Sequence, residues 1–150
     1  MTQLITAFIG ALGIAMLSNI HGPKLAYAGL GGLLSWVLSQ VLARFISTEA
    51  VLIFIVSIMA TLYAEILARA EKSPATVFLV SSIFPILPGG KLYYTVIYAI
   101  DSDVERFAAS GISAVTTSIA IAMGIMAVSS GFKIARYIRE KTVVFLKKMW

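Results

Sequence analysis

Charges and turn residues divide the chain into long hydrophobic blocks. Residues 4–20 carry no charge and end at His21, Gly22, Pro23 and Lys24, which join a helix breaker to a polar loop. A second block covers 25–42 and stops before Arg44. A third, 50–67, is apolar apart from Glu65 and is closed by Arg69, Glu71, Lys72 and Pro74. The last, 107–132, is uncharged and rich in Ala, Ser, Thr and Gly. Each is long enough to cross roughly 30 Å of hydrocarbon at about 1.5 Å per residue, with modest tilt or thinning for the shorter ones. The pattern predicts an all-α integral membrane fold.

The fourth block, 74–100, is broken from within. As one helix, residues 75–100 would run about 40 Å at 1.5 Å per residue. The run Pro85-Ile86-Leu87-Pro88-Gly89-Gly90 interrupts it. Each proline removes a backbone donor and clashes with the preceding turn, and the glycines relax the backbone. The block therefore reads as two half-helices, 75–84 and 91–100, joined by an unwound segment near the middle of the span.

Composition closes off other classes. Of 150 residues, 59% are apolar and 13% charged, and the mean hydropathy is +0.94. A soluble chain has roughly 45–50% apolar and about 25% charged residues, so this one cannot wet the surface of a globule. Cysteine is absent, and His21 is the only histidine. No thiolate chemistry, multi-histidine metal site or cofactor is expected, and no catalytic residue is assigned. The first residues lack the charged leader and cleavage site of a signal peptide, so they are expected to remain in the mature chain. The net charge of +5 reads as a topology signal rather than a nucleic-acid surface.

That signal selects five crossings over four. With five, one side receives Lys24, Arg69, Lys72 and the tail residues Lys133, Arg136, Arg139, Lys141, Lys147 and Lys148. The other receives Arg44 and Arg106 beside Glu49, Asp101, Asp103 and Glu105. Basic residues mark the cytoplasmic side, which gives an N-out, C-in topology. The expected organisation is a five-span domain over 1–132, with spans near 4–20, 25–42, 50–67, 75–100 and 107–132, followed by a basic cytoplasmic tail over 133–150. The tail either lies on the inner leaflet or continues the fifth span.

An unwound stretch at membrane depth leaves backbone groups that only protein or a water-filled cavity can satisfy. Gly89, Gly90 and Lys91 would offer free N–H groups and a cation, which suit a carboxylate. The carbonyls near Phe84 would suit an ammonium group. Pro85, Pro88, Gly89, Gly90, Lys91, Tyr94 and Thr95 are thus the candidate substrate-binding residues. The bland alternative is a proline-kinked helix whose Lys91 snorkels to an interface. Glu65, the one carboxylate well inside a span, is either a proton-coupling group or the partner of Arg69 four residues later.

Small residues at four-residue spacing, Ala7-Ala11-Ala15 and Ser110-Ala114-Ser118-Ala122, predict close helix packing, as do Gly29, Gly31 and Gly32. Asn19, Ser35, Gln40, Thr116 and Thr117 are expected to bond to neighbouring helices. His21 reads as a loop residue.

The runs Glu65-Ile66-Leu67-Ala68-Arg69, Pro74-Ala75-Thr76-Val77-Phe78 and Phe84-Pro85-Ile86-Leu87-Pro88-Gly89-Gly90-Lys91-Leu92-Tyr93-Tyr94 resemble the small type of the threonine/serine exporter family. The resemblance covers most of residues 5–130. It implies a secondary exporter of threonine, serine or a dicarboxylate such as succinate, in a bacterial-type inner membrane. It also implies a larger homologous membrane subunit as partner, since this chain resembles only the second half of the long members. A homo-oligomer is the further option. No phosphate-binding loop of the Gly-x4-Gly-Lys-Ser/Thr kind occurs, so a proton gradient, exchange or the partner must supply energy. The competing reading is a non-transporting membrane scaffold; an enzyme is disfavoured.

Overall fold

The computed structural model describes residues 2–149; the side chains of residues 2, 139–140 and 142–149 lie outside the description, and with them part of the predicted basic tail. The described chain is all helical: α1 (Thr2–Leu17), α2 (Pro23–Leu42), α3 (Glu49–Ala70), α4 (Ala75–Ile83), a 3-10 turn (Phe84–Ile86), α5 (Gly89–Ile100) and α6 (Val104–Met149). α6 continues past residue 132 without a turn, so the second option for the tail, extension of the fifth segment, is the observed backbone.

Three helices, α2, α3 and α6, are long and apolar enough to cross a membrane, and a fourth crossing is added when α4, the 3-10 turn and α5 are taken as one bent span. α1 has 16 residues, about 24 Å at 1.5 Å per residue, short of a hydrocarbon core of roughly 30 Å.

Local chemistry sets the ends. Asn19, Lys72 and Ser102 each take a left-handed conformation just after α1, α3 and α5. In each case the next amide reaches back five residues, from Ile20 to Ala15, Ser73 to Ala68 and Asp103 to Tyr98, closing the helix with Schellman-type bonds. Asp103 then caps α6 by accepting the Arg106 amide at 3.1 Å.

The interior is built from small residues. Ala11, Ala15, Ala28, Ala60, Ala64 and Ala114 are all buried, whereas Ile9, Leu34, Met59, Ile112 and Met126 are exposed. This inside-out distribution is what lipid permits, because it offers no reward for hiding leucine. Helix axes consequently approach very closely. A Cβ on Gly32 would strike Ala11 and lie 3.0 Å from the Ser81 carbonyl, which locks α1, α2 and α4 together. A Cβ on Gly124 would strike the Ser57 hydroxyl and lie 3.0 Å from the Phe54 carbonyl, which locks α6 to α3.

The small-residue row on α6 differs from the expected one. Ala114, Thr117, Ala120, Ile121, Gly124 and Val128 are buried, but Ser118 and Ala122 face outward. A strict four-residue step rotates by about 40° around the helix at each repeat, while alternating steps of three and four stay on one face. Ala11 and Ala15 of the α1 row are buried as expected.

Basic side chains tie the elements together at one end of the bundle. Lys24, at the start of α2, donates to Ser73 at 2.6 Å and to the Glu71 carbonyl at 3.3 Å, tying α2 to the α3–α4 loop. The Arg69 guanidinium stacks on the Phe132 ring, 4.1 Å from its centroid, at the same end. His21 is an exposed loop residue near the Asn19 carbonyl.

Gly124→Leu is expected to disrupt the α3–α6 contact, lowering the melting temperature of the detergent-solubilised protein by an amount equivalent to about 1–3 kcal/mol of overpacking. Gly13→Ala, where a Cβ meets nothing within 4 Å, is expected to leave it unchanged. Thermal unfolding followed by circular dichroism measures both.

Candidate functional site

The fourth segment breaks where its prolines require. Pro85 sits inside the 3-10 turn, Leu87 is extended (ψ 141°), and Pro88 precedes the first residue of α5. The two half-helices meet at 56°. The break passes the centres of two neighbours: the Phe84 ring lies against Gly10 of α1, and Pro85 against Gly32 of α2.

The unwound segment partly satisfies itself. The Leu87 amide donates to the Phe84 carbonyl at 3.3 Å, and the Gly89 amide to the Leu87 carbonyl at 2.8 Å. The carbonyl near Phe84 and the N–H of Gly89, both expected to be free, are therefore engaged locally. Among the described residues, no partner takes the N–H of Gly90 or Lys91. Gly89 and Gly90 are exposed with open space where a Cβ would be, so close approach of the backbone is not what they serve.

Lys91 is the hub. Its ammonium donates to Glu49 Oε1 at 2.5 Å and to Thr117 Oγ1 at 2.9 Å, joining α5 to α3 and α6. Its carbonyl accepts from Ser110 at 3.0 Å and from Thr95 at 2.7 Å. Since Glu49 is the first residue of α3, the Lys91 side chain runs from the break toward one end of the bundle rather than into its centre. Beside it, Gly90, Lys91, Tyr94, Tyr98, Arg106 and Ser110 line an open groove of about 660 Å³ between α5 and α6. Arg106 lies over the Tyr98 ring and pairs with Asp103 at 3.4 Å.

The structure thus brings together Gly90, Lys91 and Tyr94 at one groove, with Thr95 bonded beneath them. Pro85 and Pro88 shape the break without lining the groove, Pro88 being buried. Glu65 stands apart, about 24 Å along α3 from Glu49 at 1.5 Å per residue. It pairs with Arg69 at 3.1 Å, and Arg69 also donates to the Glu65 carbonyl at 2.7 Å; the carboxylate side is only 16% exposed.

The sequence pattern assigns Ser110 to helix packing and Glu49 and Arg106 to topology, and places none of them, nor Tyr98, at the site. Glu49 lies 42 residues from Lys91, a separation no local pattern encodes. A lysine inside an apolar block does, however, demand an anion at the end of a neighbouring span. The hydroxyls of Ser35 and Thr116 bond to carbonyls four residues back in their own helices, not to neighbours as expected. Thr117 donates locally to the Ser113 carbonyl in the same way, but its oxygen also accepts from Lys91 of the neighbouring α5, as expected. That local bond is always within reach of a helical serine or threonine, whereas a cross-helix bond needs a partner placed opposite. Ser81 is the exception: its buried hydroxyl has no hydrogen-bond partner.

A second depression, about 540 Å³ between α2 and α3, is lined by groups such as Leu34, Leu38, Met59 and Ile66 and offers no charged side chain. Among the described residues, no group of three or more His, Asp or Glu side chains gathers where a metal could sit.

Long apolar helices, a lipid-suited exterior and a small-residue interior define a multi-pass membrane protein. The sequence pattern of the threonine/serine exporter family, described as "Threonine/Serine exporter, ThrE", matches residues 3–130, and the chain belongs to that family. That family is a family of transporters. Comparison with curated proteins and with solved structures finds no match.

Ser81→Ala is expected to keep or raise thermal stability, because it deletes a buried hydroxyl whose lost hydration, about 1–3 kcal/mol, is not replaced. Calorimetry of the variant in detergent checks the sign.

Proposed function

We propose that the chain is one subunit of a secondary exporter of small polar metabolites, either threonine/serine-type amino acids or a dicarboxylate such as succinate. The proton gradient drives it, and a larger homologous membrane subunit completes it. The observation that carries this reading is the broken fourth segment. Its second half opens with two unpaired N–H groups and a lysine beside a groove holding a second cation. That arrangement suits a carboxylate, as backbone exposed inside a membrane commonly does in transporters.

The five-span, N-out, C-in arrangement in a bacterial-type inner membrane belongs to the same reading. α1 serves as a short first span with local thinning of the bilayer. Lys24, the 71–73 loop and the start of the basic tail share one end, which the positive-inside rule assigns to the cytoplasm. An odd number of spans in each of two homologous subunits makes them inverted with respect to one another, the geometry that places a site at their interface. Pro85, Pro88, Gly89, Gly90, Lys91, Tyr94 and Thr95 form this chain's side of that site. Glu65, with Arg69 as its resting partner, is the proton-coupling carboxylate.

Proteoliposomes holding the chain with its larger subunit are expected to show proton-dependent flux of threonine, serine or succinate. Either subunit alone is expected to be silent. Pro88→Ala combined with Gly89→Leu, which favours one continuous helix, is expected to reduce flux at least tenfold. Robust flux from this chain alone contradicts the partner, and full flux from the double variant contradicts the broken-helix site.

A further inference from the structure

Lys91 is held by two groups of opposite character. Thr117 is 4% exposed and spends its own proton on the Ser113 carbonyl at 2.8 Å. Its oxygen therefore turns lone pairs toward the ammonium, and nothing about that placement depends on Glu49. Glu49, by contrast, has a side chain 55% exposed against 27% for Lys91, and contacts the ammonium through one oxygen. An ion pair so accessible to water is weak and exchangeable. The ammonium has three donors, two of them engaged by Glu49 and Thr117. Lys91 also lines the groove shared with Tyr94, Tyr98 and Arg106, so an anion entering there meets the same ammonium. The other cation of the groove, Arg106, already has Asp103.

We infer that Glu49 is an internal counter-ion occupying the position on Lys91 that the carboxylate of a transported molecule takes, with Thr117 holding the ammonium in place during the exchange. The inference rests on the carboxylate-binding role proposed above for Lys91. It assigns Glu49 a positioning and specificity role: the site stays neutral when empty, and cargo must displace a resident carboxylate. The exchange also has a mechanical side. α5 packs against α6, to which Lys91 is bonded through Thr117 and Ser110, and among the described residues the Lys91–Glu49 pair is the ion pair that ties α5 to α3. Displacing Glu49 releases α5 from α3 while the proline break, where the α-helical ladder is interrupted and one 3-10 bond remains, acts as the hinge.

The test compares Glu49→Gln, Lys91→Gln and the charge-reversed pair Glu49→Lys with Lys91→Glu, each assembled with the larger subunit in nanodiscs. Two readouts are taken. The first is binding of succinate and of threonine by calorimetry. The second is the distance between spin labels at exposed positions Phe45 and Ile100. Removing the competing carboxylate is expected to tighten binding of a probe by about two- to fivefold, the range an exposed ion pair allows, while Lys91→Gln loosens it. A purely structural pair predicts the reverse for Glu49→Gln. The label distance is expected to broaden in both single variants and narrow again in the reversed pair. Unchanged or weaker binding by Glu49→Gln overturns the inference, as does a label distance indifferent to all three variants. Where neither probe binds, the distance alone decides. Flux without these responses defeats the counter-ion alone, whereas label responses without any flux defeat the transport reading instead.

Discussion

A backbone amide inside a bilayer must find a partner, and two prolines deny the fourth segment the usual one. Pro85 and Pro88 have no N–H, and Leu87 is extended, so the helical ladder cannot run from α4 into α5. The 3-10 turn recovers one bond, and the Gly89 amide another. Among the described residues the amides of Gly90 and Lys91, which line the groove, find no partner. An arrangement of that kind is stable in a membrane only where protein or water covers it, so the break dictates what must surround it: glycines in α1 and α2 that admit Phe84 and Pro85, and polar side chains at the foot of α5.

The packing follows from the same solvent. Lipid gives leucine no reason to move inward, so the interior is filled by alanine, serine and glycine, and helices are held by close backbone approach. Gly32 and Gly124 mark the two tightest seams, α1–α2–α4 and α3–α6. These seams make a firm body, against which α5 is held by α6 and one ion pair. Firm support on one side and a weak tie on the other is a suitable division for a protein whose family moves polar cargo across a membrane.

Much of this was legible from the residues, and the reasons differ by feature. The apolar blocks located every helix, because membrane thickness and backbone satisfaction leave few ways to arrange such a sequence. The break was legible because proline acts locally: the unwound run expected at 85–90 is seen from Phe84 to Pro88. Side-chain partnerships were less accessible. Glu65 and Arg69 are four residues apart and were read as one of two options, whereas Glu49 and Lys91 meet only through tertiary packing. The small-residue row on α6 was misread at Ser118 and Ala122 because a fixed four-residue step drifts off the contact face. The first block differs in length: residues 4–20 suffice as sequence, but α1 stops at Leu17, where the chain turns for the αL residue Asn19.

Backbone amide hydrogen exchange of the nanodisc-embedded protein tests the central claim directly. The account predicts that peptides spanning residues 84–92 exchange orders of magnitude faster than those spanning 54–64 of α3, because the ladder is absent from the first and intact in the second. Protection across 84–92 equal to that of α3 would mean an unbroken helix and would contradict it.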